Sequence, residues 1–403
     1  MATLSKELIE ITEAQKIISD NPLELDTETI KLSEALGRVL AEDLRAPEAL
    51  PRYTNSAMDG FCIVWNGQTE LDIIGESHAG HPYHNRVQAG QAVRISTGAA
   101  LPEGTDTVVP IENLELQEGK IKIVVEPKKI SEHVRFKGEE IQSGDLIIKS
   151  GVEINPSHLA MLASFGQTEL LVYKKPKLAI ILTGSELRAY DDQEIGDYEI
   201  RESNGIMLEG MVKLAKAELI SMTRVEDRLD STIAALESAC QAADCIIFSG
   251  GVSVGTKDFV KAATAALDFE QLFWKIKQKP GKPLFFARKA KKLVFGLPGN
   301  PVSALFCFSH YIQPLLLKAQ AYPSKQNKVK AKVKADIKNK GNRTNFIRVH
   351  YQKQNQELEL IKHQGSHMMS SCTEANAFLE LKPEQELLAG DEVELILMPW
   401  ERL

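Results

Sequence analysis

Apolar and polar positions along the chain fall into two textures. From Lys177 onward, KLAIILT reads as a strand, SNGIMLEGMVKLAKA as a helix, ELISMTRV as a strand, STIAALESACQAA as a helix and DCIIF as a strand. A glycine-rich loop and the helical DFVKAATAAL follow. Strands alternating with helices of this length form right-handed βαβ units on a parallel sheet, and ligands gather at the carboxyl ends of its strands. Three loops meet that condition: Thr183 to Leu187, Glu226 with Asp227, and FSGGVSVGTKDF from Phe248 to Phe259. A further strand, LVFGL, runs into LPGNP, and Pro301 begins a long apolar helix.

The second texture is one of short alternating runs. Between Arg45 and about Val134, FCIVW, LDIIG, VVPIE and the pair LELQ and KIKIVVE around Glu118 and Gly119 predict an all-β insertion with a hairpin. Beyond Pro323, the period-two runs NFIRVHY, ELELI and EVELILM predict a small β domain. Two helical stretches flank the insertion. Thr12 to Gln15 reads as a capping box opening a short helix that Asn21 and Pro22 end. PSHLAMLASFG is predicted as a helix with Ser157 as N-cap and Gly166 at its stop, packing with the N-terminal segment. The expected fold class is multidomain α/β plus β: a mixed N-terminal domain in two segments (1–44 and 138–176), the β insertion (45–137), a central α/β domain with a mostly parallel sheet (177–325), and a C-terminal β domain (326–403).

Composition adds bounds to this picture. A chain of 403 residues exceeds what one core usually serves, and 43% hydrophobic with 26% charged residues indicates a globular protein. No apolar run reaches membrane-spanning length and MATLSKELIEITEAQ lacks the features of a signal peptide, so a cytoplasmic protein is expected. Cys62, Cys240, Cys245, Cys307 and Cys372 form no CxxC, which suits buried thiols better than disulfides. The net charge of −7 argues against nucleic-acid binding. Charge is unevenly spread: Gln271 to Ala335 holds no Asp or Glu, whereas acids crowd Leu182 to Gly210. A solvated face explains either run alone, but both adjoin glycine-rich loops.

Gly251, Ser253 and Gly255 match the GxSxG spacing of a hydrolase nucleophile elbow, with a strand before and a helix after. The triad order could be completed by Asp268 and His310, yet His310 lies inside the apolar stretch ALFCFSHYIQPLLL, where a packed histidine is the ordinary outcome. Gly250 opens the loop, and Lys257 with Asp258 closes it, which also suits a loop holding a ligand. Glycines permit close backbone approach to a phosphate, although tight turns alone use them as often. In KIKQKPGKPLFF, Pro280 and Pro283 bracket Gly281 and should hold Lys279 and Lys282 in position for an oxyanion. LPGNP repeats the device and sets Asn300 beside that site. Asp59, Glu186, Asp227 and Asp258 each sit by a glycine or a helix start, where oxygen ligands suit Mg²⁺ and N-capping is the plainer account of any one of them. His78, His81 and His84 of HAGHPYH have ligand-like spacing, but solvated loop histidines fit better than zinc.

Together NSAMDGF, STGAALPEGTDTVVP, TGSEL, SGGVSVGTKDF, KPGKP and GLPGNPVSA resemble the molybdopterin molybdenumtransferase family, the MoeA proteins and the gephyrin E domain, over nearly the whole chain. The resemblance implies a dimer of four-domain subunits with a MogA-like central domain and an active site closed by the neighbouring subunit. It implies insertion of molybdate into the dithiolene of adenylylated molybdopterin with release of AMP, assisted by Mg²⁺. On this likeness Gly250, Gly251, Ser253 and Gly255 hold the pterin or adenylyl phosphate, and Asp227 with Asp258 holds the metal. Lys275, Lys279, Lys282 and Ser303 receive molybdate, Pro298, Asn300 and Pro301 line the substrate site, and Asp59, Glu186 and Thr97 match family positions in the same cleft. Arg343, Arg348 and Ser371 are candidate anion contacts. Ser185 and Glu140 depart from the family's usual Asp at those places. Contacts with the molybdopterin adenylyltransferase and with molybdoenzyme-specific chaperones are expected, without nucleic acid or membrane. A scaffold role like that of gephyrin is the alternative function, and a serine hydrolase using Ser253 a further one.

Overall fold

Strand β1, Lys177–Thr183, buries Leu178, Ile180 and Leu182 in one apolar cluster and Ala179 and Ile181 in another. A strand covered on both faces must be apolar at every position, which is why KLAIILT shows no alternation. With β2 (Glu218–Val225), β3 (Cys245–Ser249), β4 (Glu270–Lys275), β5 (Pro283–Lys289) and β6 (Lys292–Leu297) it forms a six-stranded sheet in the order β2-β1-β3-β6-β5-β4. The four strands β2, β1, β3 and β6 run parallel, and β5 and β4 add antiparallel strands at one edge. Helices Asn204–Leu214 and Pro301–Cys307 cover one face, and Leu229–Ala242 with Phe259–Ala266 the other.

This computed structural model describes residues 8–252, 259–322 and 328–401. Ser253, Gly255 and Asp258 therefore lie outside the described residues. The chain divides into two compact units, Met1–Thr29 with Leu171–Leu403 and Ile30–Leu170. Besides the α/β sheet, the first unit holds a closed ring of five strands: Lys328–Val333, Glu392–Leu397, Ala377–Leu381, Thr344–Gln352 and Glu357–Leu360. Closure removes sheet edges, and the alternating KVKAKV sends Val329, Ala331 and Val333 inward. Gln278–Lys279 pairs in parallel with Thr344 and Asn345, tying the KPGK segment to this barrel.

In the second unit, strands Thr107–Pro110, Gly60–Ile63, Gln91–Ile95, Glu70–Ser77, Lys120–Ile123 and Leu114–Gln117 form one sheet in that order, including the expected hairpin at Glu118 and Gly119. Among the described residues no helix is long and apolar enough to cross a membrane.

Two caps differ from expectation. Helix Pro156–Ser164 is capped by Asn155, whose side chain accepts the His158 amide while His158 accepts that of Asn155; Ser157 follows Pro156, which takes the first helical position. Helix Ile11–Asp20 starts before Thr12, with Glu10 at the cap position and no side-chain cap. The cause is tertiary: Ile9 exchanges backbone hydrogen bonds with Lys275 and Lys277, which carries the chain into the helix two residues early.

Candidate active site

Four loops leave the carboxyl ends of β1, β2, β3 and β6 and meet in a cleft of about 700 Å³. Its walls include Thr183, Gly184, Glu186, Asp227, Gly250, Gly251, Pro298, Asn300 and Pro301, and also Glu202, Asn204 and His367. Convergence follows from the topology, since parallel neighbours end at the same edge of the sheet. Gly250 is at φ +91°, and a Cβ there would sit 2.8 Å from both the carbonyl and hydroxyl oxygens of Thr183. Its amide donates to Leu297 O at 3.0 Å, so Gly250 shapes the loop and spends its own N–H on the scaffold. A Cβ on Gly299 would stand 3.9 Å from Gly250 Cα, which measures how closely the two glycine loops approach.

Asn204 ties these loops together. Its amide nitrogen donates to Ser249 Oγ at 3.0 Å and to Gly299 O at 2.9 Å. Glu202, 7% exposed, accepts the Gly205 amide on both carboxylate oxygens at 2.9 and 2.8 Å. Burial raises its pKa, against the lowering effect of the Gly205 and Asn204 backbone N–H groups. Asp227 accepts from both the amide and the hydroxyl of Ser185 at 3.3 Å each. The residue that departs from the family's usual Asp thus meets the carboxylate proposed for metal. Asn300 donates to Ser366 Oγ at 3.1 Å, so a loop from the barrel region joins the wall beside His367.

The lysines lie differently. Gly281 at φ +78° turns so tightly that a Cβ would stand 2.4 Å from Cys307 Sγ. Buried Gln278 donates to Gly281 O at 3.0 Å and accepts from the Tyr311 hydroxyl. The backbone around Lys279 and Lys282 is therefore fixed while both side chains are exposed, and Lys275 Nζ stands 3.5 Å over the Trp274 ring. None of the three lines the cleft, whose wall reaches their neighbour Pro283, and Ser303 is buried in its helix. Arg348 is buried, with its guanidinium donating to His363 O and Gly365 O at 3.1 Å each, beneath the loop that carries His367. Arg343 donates to Gln278 O at 3.4 Å, and Ser371 Oγ to Met368 O at 2.6 Å.

In the second unit, two further candidates are joined: Asp59 Oδ1 accepts the Thr97 amide at 2.6 Å and its hydroxyl at 3.0 Å. Those bonds, the backbone one first, hold the exposed Asp59 carboxyl below its ordinary pKa. Glu140 is exposed, its amide bonded to Leu50 O. His78 bonds Ser96 and Glu76, and among the described residues no three His, Cys, Asp or Glu side chains gather as a metal site. His310 is buried against Phe306 and beside Gln15, and burial depresses its pKa to about 4, as a packed histidine should behave.

Sequence reasoning passed over Glu202, Asn204 and His367. An acid and a serine directly before a helix that opens on Asn could have flagged the first two, because such positions cap helices. Nothing local marks His367.

Glycine loops at the ends of parallel strands, with carboxylates among them, define an α/β protein whose cleft suits a phosphorylated organic ligand. Comparison with known proteins narrows the class. The family profile described as MoeA N-terminal region (domain I and II) matches residues 9–166, the probable molybdopterin binding domain 179–318, and the MoeA C-terminal region (domain IV) 330–398. A molybdopterin molybdenumtransferase of Haemophilus influenzae is 34% identical over 94% of this chain and 95% of its own, and one of Staphylococcus epidermidis 34% over 77% and 75%. Two crystal structures of the molybdopterin biosynthesis MoeA protein of Pyrococcus horikoshii superpose over 97% of this chain and 99 and 100% of theirs, with TM-scores of 0.85 and 0.78 at 29 and 30% identity. The chain belongs to the molybdopterin molybdenumtransferase family, whose members are transferases of molybdenum cofactor biosynthesis.

Proposed function

We propose that the chain inserts molybdate into the dithiolene of adenylylated molybdopterin and releases AMP, with Mg²⁺ assisting. The observation that supports this best is the meeting of two glycine loops and Asp227 in one 700 Å³ cleft at the strand ends. The loop of Gly250 and Gly251, continuing to Ser253 and Gly255, holds the phosphate of the ligand, and Pro298, Asn300 and Pro301 form the facing wall. Asp227 and Asp258 hold Mg²⁺: Ser185 occupies Asp227 Oδ2, and oxygen donors suit a hard cation. When bound, the ion neutralises charge on the departing AMP phosphate. Lys275, Lys279, Lys282 and Ser303 receive molybdate, the ammonium groups attracting it from a backbone already fixed at Gly281. Glu186 orients the ligand from the loop after β1.

On this reading the chain comprises four domains, 1–44 with 138–176, 45–137, 177–325 and 326–403. It works as a cytoplasmic homodimer, in which Asp59 and Thr97 of one subunit serve the cleft of the other. It takes substrate from the molybdopterin adenylyltransferase and passes product to molybdoenzyme-specific chaperones. The test is AMP release from adenylylated molybdopterin with molybdate and Mg²⁺. Asp227→Asn is expected to lower it by roughly a hundredfold without changing the melting temperature; absence of AMP release by the unaltered protein defeats the reading. Mixing Asp59→Ala with Asp227→Asn subunits should restore about a quarter of normal activity, because half of random dimers are mixed and each has one intact cleft.

A further inference from the structure

Among the described residues, two neighbouring acceptors in the cleft wall are left without adequate donors. Glu202 is almost fully buried, lines the cleft and, among the described residues, forms no ion pair with Lys, Arg or His; Arg201 beside it donates to Asp192 O. Its protein donors are backbone amides, that of Gly205 reaching both oxygens, and a carboxylate with about four lone-pair positions retains capacity. Asn204, 8% exposed in the same wall, spends its amide protons on Ser249 and Gly299, and its Oδ1 has no hydrogen-bond partner among the described residues. Buried carboxylates without a cation and buried carbonyls without a donor are both unfavourable, so capping alone explains them poorly. Ser203 stands at the N-cap of helix Asn204–Leu214 and forms no side-chain cap, although a serine there would avoid burying a charge.

We propose that Glu202, with the neighbouring Asn204 Oδ1 as a second acceptor, is the specificity-determining acceptor of the cleft, reading an adjacent pair of uncharged donors on the ligand. The inference rests on the function proposed above and names the part of that ligand which the wall takes. A carboxylate repels phosphate, so the wall takes a neutral part of the molecule while the glycine loops take the anionic part. Two parts of adenylylated molybdopterin carry adjacent donors: the amino–amide edge of the pterin and the cis-diol of the ribose.

Calorimetric binding to the whole protein separates these sources. The probes are 2-amino-4-oxopteridine against its 2,4-dioxo analogue, which replaces the amino donor by an acceptor, and AMP against 2′,3′-dideoxy-AMP, which lacks the diol. The unaltered protein is expected to prefer the donor-bearing member of one pair by roughly 10- to 100-fold, the range for a hydrogen bond to a charged group, and that pair identifies the source. Glu202→Gln can still accept the Gly205 amide, so the helix cap and the melting temperature should stay, while the preference falls to near unity and the other pair is unaffected. Asn204→Ala should weaken the same preference in part. Equal binding of both members of each pair, or a preference that survives Glu202→Gln, overturns the inference alone. Binding of neither AMP nor the pterin overturns the assignment of the cleft, and this inference with it.

Discussion

Glu202 in the α/β unit and Asp59 in the β unit are carboxylates that both accept backbone N–H groups, yet their acidities move in opposite directions. Asp59 is exposed, and the Thr97 amide and hydroxyl hold its pKa down. Glu202 is buried, and desolvation outweighs the same kind of hydrogen bond and raises its pKa. The comparison teaches that donor count alone does not set the charge of a site; depth does. It also separates two tasks, since an exposed, prearranged carboxylate is poised to meet something that arrives, whereas a buried one selects what may enter.

The largest expected effects test whether the two units are equally intolerant at their backbones. A Cβ on Gly60 would lie 2.0 Å from Val109 O, inside the sheet, and Gly60→Ala should destabilise the β unit by about 3 kcal/mol or more. Gly250→Ala should strain the cleft loop at φ +91° by about 1–3 kcal/mol and abolish most AMP release. Urea unfolding followed beside turnover distinguishes loss of fold from loss of site. Equal effects of both variants on both readouts would erase the distinction between the units.

Next in size is the extreme of burial, His310. Its folded pKa of about 4 lies below the ordinary 6.5, so the unfolded chain binds the extra proton first as the solution is acidified. The stability that it contributes is fully present above pH 6.5 and is lost as pH falls towards 4, up to about 3 kcal/mol. His310→Gln should flatten the fall in urea midpoint across that window, measured against the unaltered protein.

The smallest expected effect is on Asp59. Thr97→Val removes the 3.0 Å hydroxyl bond but leaves the amide, so the Asp59 pKa should rise part of the way towards its ordinary value. The acid limb of the activity profile should move to higher pH, with a loss at the plateau of roughly tenfold or less. An unmoved limb would mean that Asp59 ionisation does not limit turnover.

Much of this molecule is legible in its sequence. KLAIILT and DCIIF are apolar at the positions that two covered faces require, while ELISMTRV, at the edge of the sheet, is only partly buried, and the loops after all three fall at one edge because the strands run parallel. Thr183, Asp227 and Gly250 were therefore recognisable as neighbours before any coordinates. Asp59 and Thr97 are 38 positions apart, and the family likeness named both; their hydrogen bonds needed the fold.

What the chain alone determined is periodicity, turn chemistry and strand direction, because these depend on neighbours within a few residues. The tertiary structure decided the rest: that Lys279 and Lys282 stand exposed on a backbone fixed by Gln278 and Gly281, that Arg348 is spent on the carbonyls of His363 and Gly365, and that Glu202 is buried with no cation beside it among the described residues. Each of these depends on how deeply a side chain sits and on which distant segment packs over it. Desolvation and long-range pairing have no period along the chain, so no local pattern records them.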